Sequence, residues 1–581
     1  MKNPSKPIRI LVLDADLVPA LTVVRSLVKQ GYLVDIASAV EAPIASYSRR
    51  VADKWRYPDP LAGEAPFLTW LEAQLAARHY DLVIPVTERT LVPLSAHRHR
   101  FGETRIAMPD ARSLNQVLDK AQTCRLAESL SVTVPRSVCL SDIGQLASHA
   151  SELTYPVVVK PSRSVAAAGS GYSTRNVSYA ATGAELYRQC ESGLRHSPIL
   201  LQSYCHGLGT GIELIARDGE ILYPFQHLRL HETPLTGGGS SFRISTAVEP
   251  VLLAATRKLI QALNWTGVAM VEFKWNPQSG DYCLMEINGR FWGSLPLAAA
   301  AGADFPAMLA ELCLTGAISE YPAYRPGVYC RNLGRDLMWH EMVLRHRGTQ
   351  DNNALVQPPT VSAVMRDLGR CFSPKHHFDT QSFSDPLPGL VEIIRLAGQY
   401  RNRASGVISE KIFVRRQRHL WRNGTVGEKV RAANQVLFIC YGNINRSAVA
   451  EVILTTLLPK GCQTRVLSAG FHHDNDRPAD PTMQTVASEH GFDLSRFRSA
   501  RITDALLAQS DVIFVMEKRQ YDRLIDEHPA AADRTFLLGP GSREAGQGDA
   551  EIADPYNHEE EVYRACFAQV HQAVTQLKEK M

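Results

Sequence analysis

The stretch that most constrains the fold is VLFICYGNINRSAVAE, at residues 436–451. Its mostly apolar start predicts a buried strand that ends at Cys440, and the letters after Arg446 predict a helix. A loop that enters a helix presents backbone amides and a helix N-terminus, and both favour bound anions. A thiol at the strand end with Arg446 six residues later (446 − 440 = 6) therefore predicts a phosphate-binding loop with a nucleophile at its base.

The other residues of this stretch suit the same chemistry. Gly442 permits a backbone turn that a side chain would block. Ser447 can hydrogen-bond the sulfur, and Arg446 can hold two phosphate oxygens at once. An acid for the leaving oxygen is also needed, and IADPYNHEE offers Asp554, with Tyr556 as one wall of the site.

Four motifs in order carry a resemblance to a known family. They are C-x5-R-S at 440–447, LSAG at 467–470, DVIFVME at 511–517 and DPY at 554–556. Together they resemble the low-molecular-weight protein tyrosine phosphatases, and the gap between Cys440 and Asp554 (554 − 440 = 114) suits that family. The resemblance covers about 145 residues and implies a C-terminal α/β domain with a parallel sheet.

The resemblance also implies roles for individual residues. Cys440 forms a phosphocysteine, Arg446 stabilises the transition state, and Asp554 serves first as acid and then as base to water. Asn443 braces the loop. The remaining phosphate-loop residues that it implies are Tyr441, Gly442, Ile444, Asn445 and Ser447.

Two positions bear on chemistry and substrate. The family usually has a second cysteine where this chain has Asn445, so protection of the nucleophile by a disulfide is not expected. Arsenate reductases on this fold need relay cysteines in the region 500–535, which has none. In the family, Ile at the position of Ile444 goes with aryl phosphates. The expected substrate is a phosphotyrosine-like group on a protein, or a small-molecule phosphomonoester.

The N-terminal part alternates strands and helices. IRILVLDAD at 8–16, a helix with a second strand, and YDLVIPVTE at 80–88 predict a parallel α/β sheet of about 110 residues. No G-x-G-x-x-G follows the first strand, so a dinucleotide site is not predicted.

A second constellation of polar residues follows on two predicted strands. Glu272 and Glu286 are 14 residues apart (286 − 272 = 14), which suits a hairpin. Alternation along the strand places Glu286, Asn288 and Arg290 on one face. Oxygen donors beside a guanidinium could hold two Mg²⁺ ions that bridge triphosphate oxygens. Lys120 starts a helix, and Lys160 ends a strand before a small-residue loop at 162–171, which suits phosphate neutralisation.

These residues and their order resemble the ATP-grasp superfamily with its preceding Rossmann-like domain, over residues 8–330. The resemblance implies ATP and Mg²⁺ as cofactors, with Mn²⁺ as an alternative metal. It implies metal binding by Glu272, Glu286 and Asn288, and stabilisation of the transferring phosphoryl group by Arg290. The ATP-binding residues that it implies are Lys120, Lys160, and the hinge residues Gln202, Ser203, Tyr204 and Cys205. Arg229, His231 and Arg243 are candidates to face the substrate.

A chain of 581 residues is too long for one core. The predicted fold is a multidomain α/β protein with ATP-grasp α+β subdomains. Its predicted segments are a Rossmann-like pre-ATP-grasp domain (1–112), an ATP-grasp domain (113–330), its C-terminal extension (331–400), a basic linker (401–431) and the phosphatase domain (432–581). The basic stretch is either a solvated interdomain helix, which its thin apolar face favours, or a segment attracted to membrane surfaces or phosphate.

The composition sets limits on location and partners. The chain has a net charge of +4, and eleven scattered cysteines without a C-x-x-C pair argue against structural zinc and for a reducing compartment. No run of 18 apolar residues predicts a transmembrane helix, and no signal-peptide pattern begins the chain. A cytoplasmic protein without a nucleic-acid partner is expected.

The leading hypothesis is a bifunctional enzyme. The N-terminal part would use Mg-ATP to activate a small-molecule carboxylate as an acyl phosphate for attack by an amine, and the C-terminal part would hydrolyse a phosphomonoester. An alternative is a phosphatase regulated by a nucleotide-binding domain that does not ligate. A third is a kinase-like domain whose product the phosphatase later dephosphorylates.

Overall fold

The structure is a computed structural model that describes residues 7–149, 153–162, 165–168, 171–174, 177–195, 197–348, 359–459, 461–542 and 550–581. It forms two compact units, Met1–Ala397 and Gly398–Met581. The predicted boundaries at 112 and 330 lie inside the first unit and stay predictions.

The first unit begins with the predicted parallel sheet, in the strand order β3-β2-β1-β4. The central strand is apolar and almost wholly buried, as expected for a parallel strand that is covered on both faces. Its elements are β1 (Arg9–Val12), α1 (Val18–Lys29), β2 (Leu33–Ser38), β3 (Lys54–Arg56), α2 (Glu64–Ala77), β4 (Leu82–Ile84) and α3 (Glu88–Ala96).

A smaller antiparallel sheet follows, in the order β5-β10-β6-β9. Its elements are α4 (Ala111–Leu118), α5 (Lys120–Ser129), β5 (Ser137–Leu140), α6 (Leu146–His149), β6 (Val157–Pro161), β7 (Val165–Ala168), β8 (Gly171–Thr174), β9 (Ser178–Ala180), α7 (Gly183–Leu194) and β10 (Ile199–Ser203). The predicted loop at 162–171 lies partly outside the described residues, and its described part contributes to the antiparallel pair β7–β8.

The largest sheet has seven strands, in the order β15-β14-β11-β12-β13-β16-β17. Its elements are β11 (Leu208–Arg217), β12 (Glu220–Thr233), β13 (Gly239–Thr246), α8 (Pro250–Ala262), β14 (Gly267–Trp275), β15 (Tyr282–Asn288), α9 (Leu295–Ala301), α10 (Phe305–Thr315), β16 (Tyr329–Arg331), α11 (Leu333–Gly348), α12 (Val361–Gly369) and β17 (His376–Phe378). One apolar core includes residues of the first sheet, of this sheet and of α9 and α10, whereas the smaller sheet has a core of its own.

The second unit contains a four-stranded parallel sheet in the order β19-β18-β20-β21. The boundary between the units falls inside a long helix, α13. The elements are α13 (Pro386–Arg422), α14 (Thr425–Arg431), β18 (Gln435–Cys440), α15 (Arg446–Leu457), β19 (Arg465–Gly470), α16 (Pro481–Glu489), α17 (Asp504–Gln509), β20 (Val512–Val515), α18 (Lys518–Glu527), β21 (Thr535–Leu537) and α19 (Glu560–Glu579).

The basic stretch 401–431 is mostly helical, which agrees with the helical alternative, and it belongs to the second unit. The Trp421 indole donates to the Leu537 carbonyl at 2.9 Å, and Gln417 Oε1 accepts from the Leu537 amide at 3.0 Å. Because Leu537 lies on the edge strand β21, these side chains satisfy backbone groups that an edge leaves open.

Among the described residues, no single helix has both the length and the apolar composition needed to span a bilayer. One bent pair, α9 with α10, passes on length and composition alone, and most residues of both helices are buried in the core.

Candidate active sites

The C-terminal candidate site begins where the buried central strand β18 ends at Cys440. Residues 441–445 form the loop, and α15 starts at Arg446, as the sequence predicts. The Asn443 amide donates to Cys440 Sγ at 3.2 Å and the Ser447 hydroxyl donates to it at 3.0 Å. Two hydrogen-bond donors therefore reach the sulfur at the base of the loop.

Asn443 determines the shape of this loop. Its φ of 52° lies in the left-handed region, which asparagine tolerates better than most residues. Its side-chain amide donates to Ser447 Oγ at 2.9 Å and Ser468 Oγ at 2.8 Å, and its carbonyl accepts from the Ala500 amide at 2.7 Å. The contacts agree with the bracing role that the resemblance implies.

Arg446 is fully buried and joins the loop to the candidate acid. Its guanidinium donates to Asp554 at 2.6 Å and to the Ile552 carbonyl at 2.8 Å, and it forms an ion pair with Glu517. Burial acts to lower the pKa of Arg446, but the charges of Cys440, Asp554 and Glu517 raise it above its usual value. The guanidinium thus stays charged beside the sulfur.

Two exposed aromatic side chains belong to the segments that carry the nucleophile and the acid. Tyr441, next to Cys440, is 51% exposed, and Tyr556, two residues after Asp554, is 53% exposed. Ile444 is partly buried in the same loop. Both aromatic rings are therefore accessible on the segments that carry Cys440 and Asp554.

The second candidate site lies on the paired strands β14 and β15. Glu272 stands directly opposite Glu286, and the Asn288 amide nitrogen lies 3.1 Å from a carboxylate oxygen of each. The structure thus brings together the three predicted metal ligands. Carboxylate and amide oxygens are the ligands that Mg²⁺ prefers, so this donor set fits the ion that the sequence predicts.

Lys120 and Lys160 both act electrostatically on Glu286. Burial acts to raise the pKa of Glu286, but the charges of Lys120 and Lys160, with the Asn288 amide and Arg290, lower it on balance. Burial lowers the pKa of Lys160, and Glu286 acts against this. The charges of both predicted lysines therefore favour the ionised form of Glu286.

The predicted hinge leaves β10 beside this site. Gln202 is buried and donates to Ser137 Oγ at 2.9 Å, and the Ser203 amide donates to the Arg136 carbonyl. Cys205 Sγ lies 3.0 Å from Cys283 Sγ of β15, so the segment meets the strand that carries Glu286. The ring of Tyr204 packs edge-on against His206.

A cavity of about 690 Å³ opens from the acids. Arg229 lines it and lies 2.6 Å from Glu272, whereas His231 and Arg243 are buried in ion pairs with Asp336 and Asp379 and do not line it. The lining residues that sequence reasoning missed come from the loop after β1, from α3 and from the segment after 330. They include Asp16, Glu88, Arg89, Asn332, Arg335 and Asp379.

Comparisons with known proteins match both parts of the chain. A family model described as "Low molecular weight phosphotyrosine protein phosphatase" matches residues 435–581, and one described as "ATP-grasp in the biosynthetic pathway with Ter operon" matches residues 195–335. The "Probable low molecular weight protein-tyrosine-phosphatase EpsP" of Ralstonia nicotianae is 34% identical over 139 residues, which are 24% of this chain and 90% of that protein.

The chain belongs to the low-molecular-weight protein tyrosine phosphatase family through its C-terminal domain. The phosphatase Wzb of Escherichia coli is also 33% identical over 143 residues, which are 25% of this chain and 92% of Wzb. The preceding part contains an ATP-grasp domain. A crystal structure of N5-carboxyaminoimidazole synthetase from Staphylococcus aureus matches 60% of this chain and 88% of its own, at 14% identity and a TM-score of 0.45.

Sequence reasoning missed several supports of the phosphatase loop. Glu517 pairs with Arg446, and it ends the motif DVIFVME that was visible in the sequence. Arg477 donates to the Gly442 carbonyl, and Ser468 donates to Glu451 at 2.5 Å. No local sequence pattern predicts the contacts of Arg477 and Ser468. Arg477 contacts the phosphate loop and Ser468 contacts α15, and both come from more distant segments of the domain.

Proposed function

We propose that the chain is a bifunctional enzyme. Its ATP-grasp domain would be a Mg-ATP-dependent ligase that joins a carboxylate to an amine, and its phosphatase domain would hydrolyse aryl phosphomonoesters through a phosphocysteine. The observation that carries the ligase proposal is the convergence of Glu272, Glu286 and Asn288 at a cavity, with Lys120 and Lys160 acting on Glu286.

In the proposed ligase reaction, a carboxylate oxygen attacks the γ-phosphorus of ATP, which releases ADP and leaves an acyl phosphate. An amine then attacks the acyl carbon, and phosphate leaves. Glu272, Glu286 and Asn288 would hold Mg²⁺, which supplies charge neutralisation at the triphosphate when bound. Lys120 and Lys160 would bind phosphate oxygens, and Arg290 would stabilise the group in transfer.

The arginines that line the cavity differ in whether they form ion pairs. Arg229 pairs with Glu272, Arg290 lies 3.4 Å from Glu88, and Arg89 pairs with Asp16. The Arg335 guanidinium lines the cavity with no ion-pair partner within the described part of the chain.

We therefore propose that Arg335 binds a carboxylate of the substrate. Arg335→Gln should raise the KM for the acid about ten-fold or more without changing Mg-ATP affinity, and the surface variant Arg112→Gln should change neither. An unchanged KM in Arg335→Gln would contradict this assignment.

In the proposed phosphatase reaction, the sulfur of Cys440 attacks phosphorus, the P–O ester bond breaks, and Asp554 gives its proton to the leaving oxygen. Asp554 then takes a proton from the water that attacks the phosphocysteine, which releases phosphate. Arg446 would hold the phosphoryl oxygens throughout. Tyr441 and Tyr556 favour aryl esters, so phosphotyrosine should be hydrolysed faster than phosphoserine.

A mass-spectrometric experiment tests the ligase proposal and identifies its substrates. Cys440→Ser protein is mixed with Mg-ATP and a cell metabolite extract, and Glu286→Ala/Cys440→Ser protein is the control. The proposal predicts ADP and a new mass that is one water short of two precursors, both dependent on Glu286. ADP formation in the control would overturn the site assignment. Absence of ADP from an extract shown to contain amino acids and other carboxylic acids would favour a nucleotide-binding domain that regulates the phosphatase.

A further inference from the structure

The C-terminal part of α13 presents a surface that neither proposed activity uses. Gln417 and Trp421 are buried against the edge of the phosphatase sheet, and the Phe413 ring packs 4.7 Å from that of Tyr521. These contacts fix which side of the helix faces the phosphatase domain. The opposite side is therefore an external surface of this domain.

This opposite side, here called the outer face of α13, has a distinctive composition. Ile408 and Ile412 lie one turn apart at its centre and are 58% and 60% exposed. Every other titratable residue of the face is basic. The outer face comprises Arg401, Ile408, Lys411, Ile412, Arg415, Arg416, His419 and Arg422, and all eight residues are exposed.

Among the described residues, no acidic side chain belongs to the outer face. Glu410, which is exposed, follows Ile408 by two positions, which places it about 200° around the helix, on the same side as Gln417. Within the described residues, Arg401, Lys411, Arg415, Arg416 and Arg422 take part in no ion pair. The outer face therefore combines five cations that form no ion pair among the described residues with two exposed isoleucines.

We propose that the outer face of α13 binds the surface of an anionic lipid bilayer. Each Lys or Arg near such a surface adds electrostatic attraction to the anionic headgroups. The two isoleucines would reach the boundary between headgroups and acyl chains, as the apolar face of an interfacial helix does. The phosphatase domain would then act close to a membrane.

The same features disfavour other occupants. A second copy of this helix would place like charges against each other, which is repulsive. A nucleic acid backbone would engage the cations but would gain nothing from isoleucines at the centre of the patch. Only a surface with both negative charge and an apolar layer beneath it uses all of the exposed groups.

Vesicle sedimentation with the full-length chain tests this proposal. The vesicles are phosphatidylcholine with phosphatidylglycerol in about a seven-to-three ratio, with pure phosphatidylcholine as the comparison. We expect the protein to bind the anionic vesicles at least about ten-fold more tightly, and this binding should weaken as salt is added.

Two double variants separate the contributions. Lys411→Glu/Arg415→Glu should lower the affinity for anionic vesicles about 20-fold or more, and Ile408→Ser/Ile412→Ser should lower it several-fold. Arg465→Glu/Lys578→Glu makes the same charge change at exposed positions outside α13 and should lower the affinity less. Wild-type hydrolysis of para-nitrophenyl phosphate by each variant confirms that it folds.

Equal binding to neutral and anionic vesicles would overturn the proposal, as would unchanged binding of Lys411→Glu/Arg415→Glu. Self-association or capture of an acidic protein through this face, without vesicle binding, would also overturn it.

Discussion

The two candidate sites of this chain differ in plan, because the residues of one are close together in sequence and those of the other are dispersed. In the phosphatase domain, the nucleophile, the anion-binding loop and the arginine lie within eight consecutive residues, 440–447, and only the acid comes from far away. In the ATP-grasp part, the groups that act on Glu286 come from α5, β6 and β15, and the cavity walls come from residues 16–379. A local site is specified by one motif, whereas a dispersed site depends on the whole first unit.

The sharpest test of the local plan is Cys440→Ser. Removing the nucleophile should lower the rate of para-nitrophenyl phosphate hydrolysis by about 10⁴-fold or more, because no other group replaces the thiolate. Affinity for Mg-ATP should stay at the wild-type value. Cys462→Ser, an exposed cysteine of the same domain, is the matched control and should retain full activity.

Glu286→Gln tests the dispersed plan in the same way. The change preserves size but removes one of two opposed carboxylates, and we expect ATP turnover to fall about 100-fold or more while phosphatase activity is unchanged. Glu220→Gln, at an exposed position of the same sheet, is the control. If Glu286→Gln retained wild-type turnover, Glu286 would not be a metal ligand.

Asp554→Asn tests whether Asp554, which is far in sequence from the phosphate loop, is the general acid of the phosphatase site. A general acid contributes about 10²- to 10⁴-fold, and its loss matters most when the leaving group is a poor one. We expect phenyl phosphate hydrolysis to fall by that amount and para-nitrophenyl phosphate hydrolysis to fall much less. Equal losses on both substrates would show that Asp554 supports Arg446 instead of transferring a proton.

Of these variants, two substitutions at Asn443 should have the smallest effect on enzymatic activity. Asn443→Gly keeps access to the positive φ but removes three side-chain hydrogen bonds, and Asn443→Ala adds backbone strain to that loss. Phosphatase kcat/KM should fall about 10-fold for glycine and further for alanine. If both variants had the same kcat/KM, the left-handed backbone of Asn443 would not contribute to the geometry of the loop.

The same contrast explains what the sequence could reveal. The strand, loop and helix around Cys440 were predictable because their signals are local, namely an apolar run, a glycine and a helical pattern. The pairing of Glu272 with Glu286 was also predictable, because alternation along neighbouring strands determines facing residues.

The other site residues and contacts could not be predicted from the sequence, because they depend on tertiary packing. Arg89 and Arg335 reach one cavity from segments far apart in sequence, and nothing local marks them as partners. His231 and Arg243 were candidates because of their neighbours in sequence, yet the fold buries both against aspartates from the segment after 330. The charge of the stretch 401–431 predicts a basic linker or helix, whereas the contacts of Gln417 and Trp421 depend on β21, which is more than 100 residues away in sequence.

The most direct test of the central claim, that one chain carries two separable active sites, is a crossed measurement on the single variants Glu286→Gln and Cys440→Ser. Mg-ATP turnover in a substrate-containing extract and para-nitrophenyl phosphate hydrolysis are measured for both proteins and the wild type. The account predicts that each variant loses one activity and keeps the other at the wild-type rate. Loss of phosphatase activity in Glu286→Gln, or a wild-type phosphatase rate that changes when ATP is added, would contradict it and would show that the first unit regulates the second.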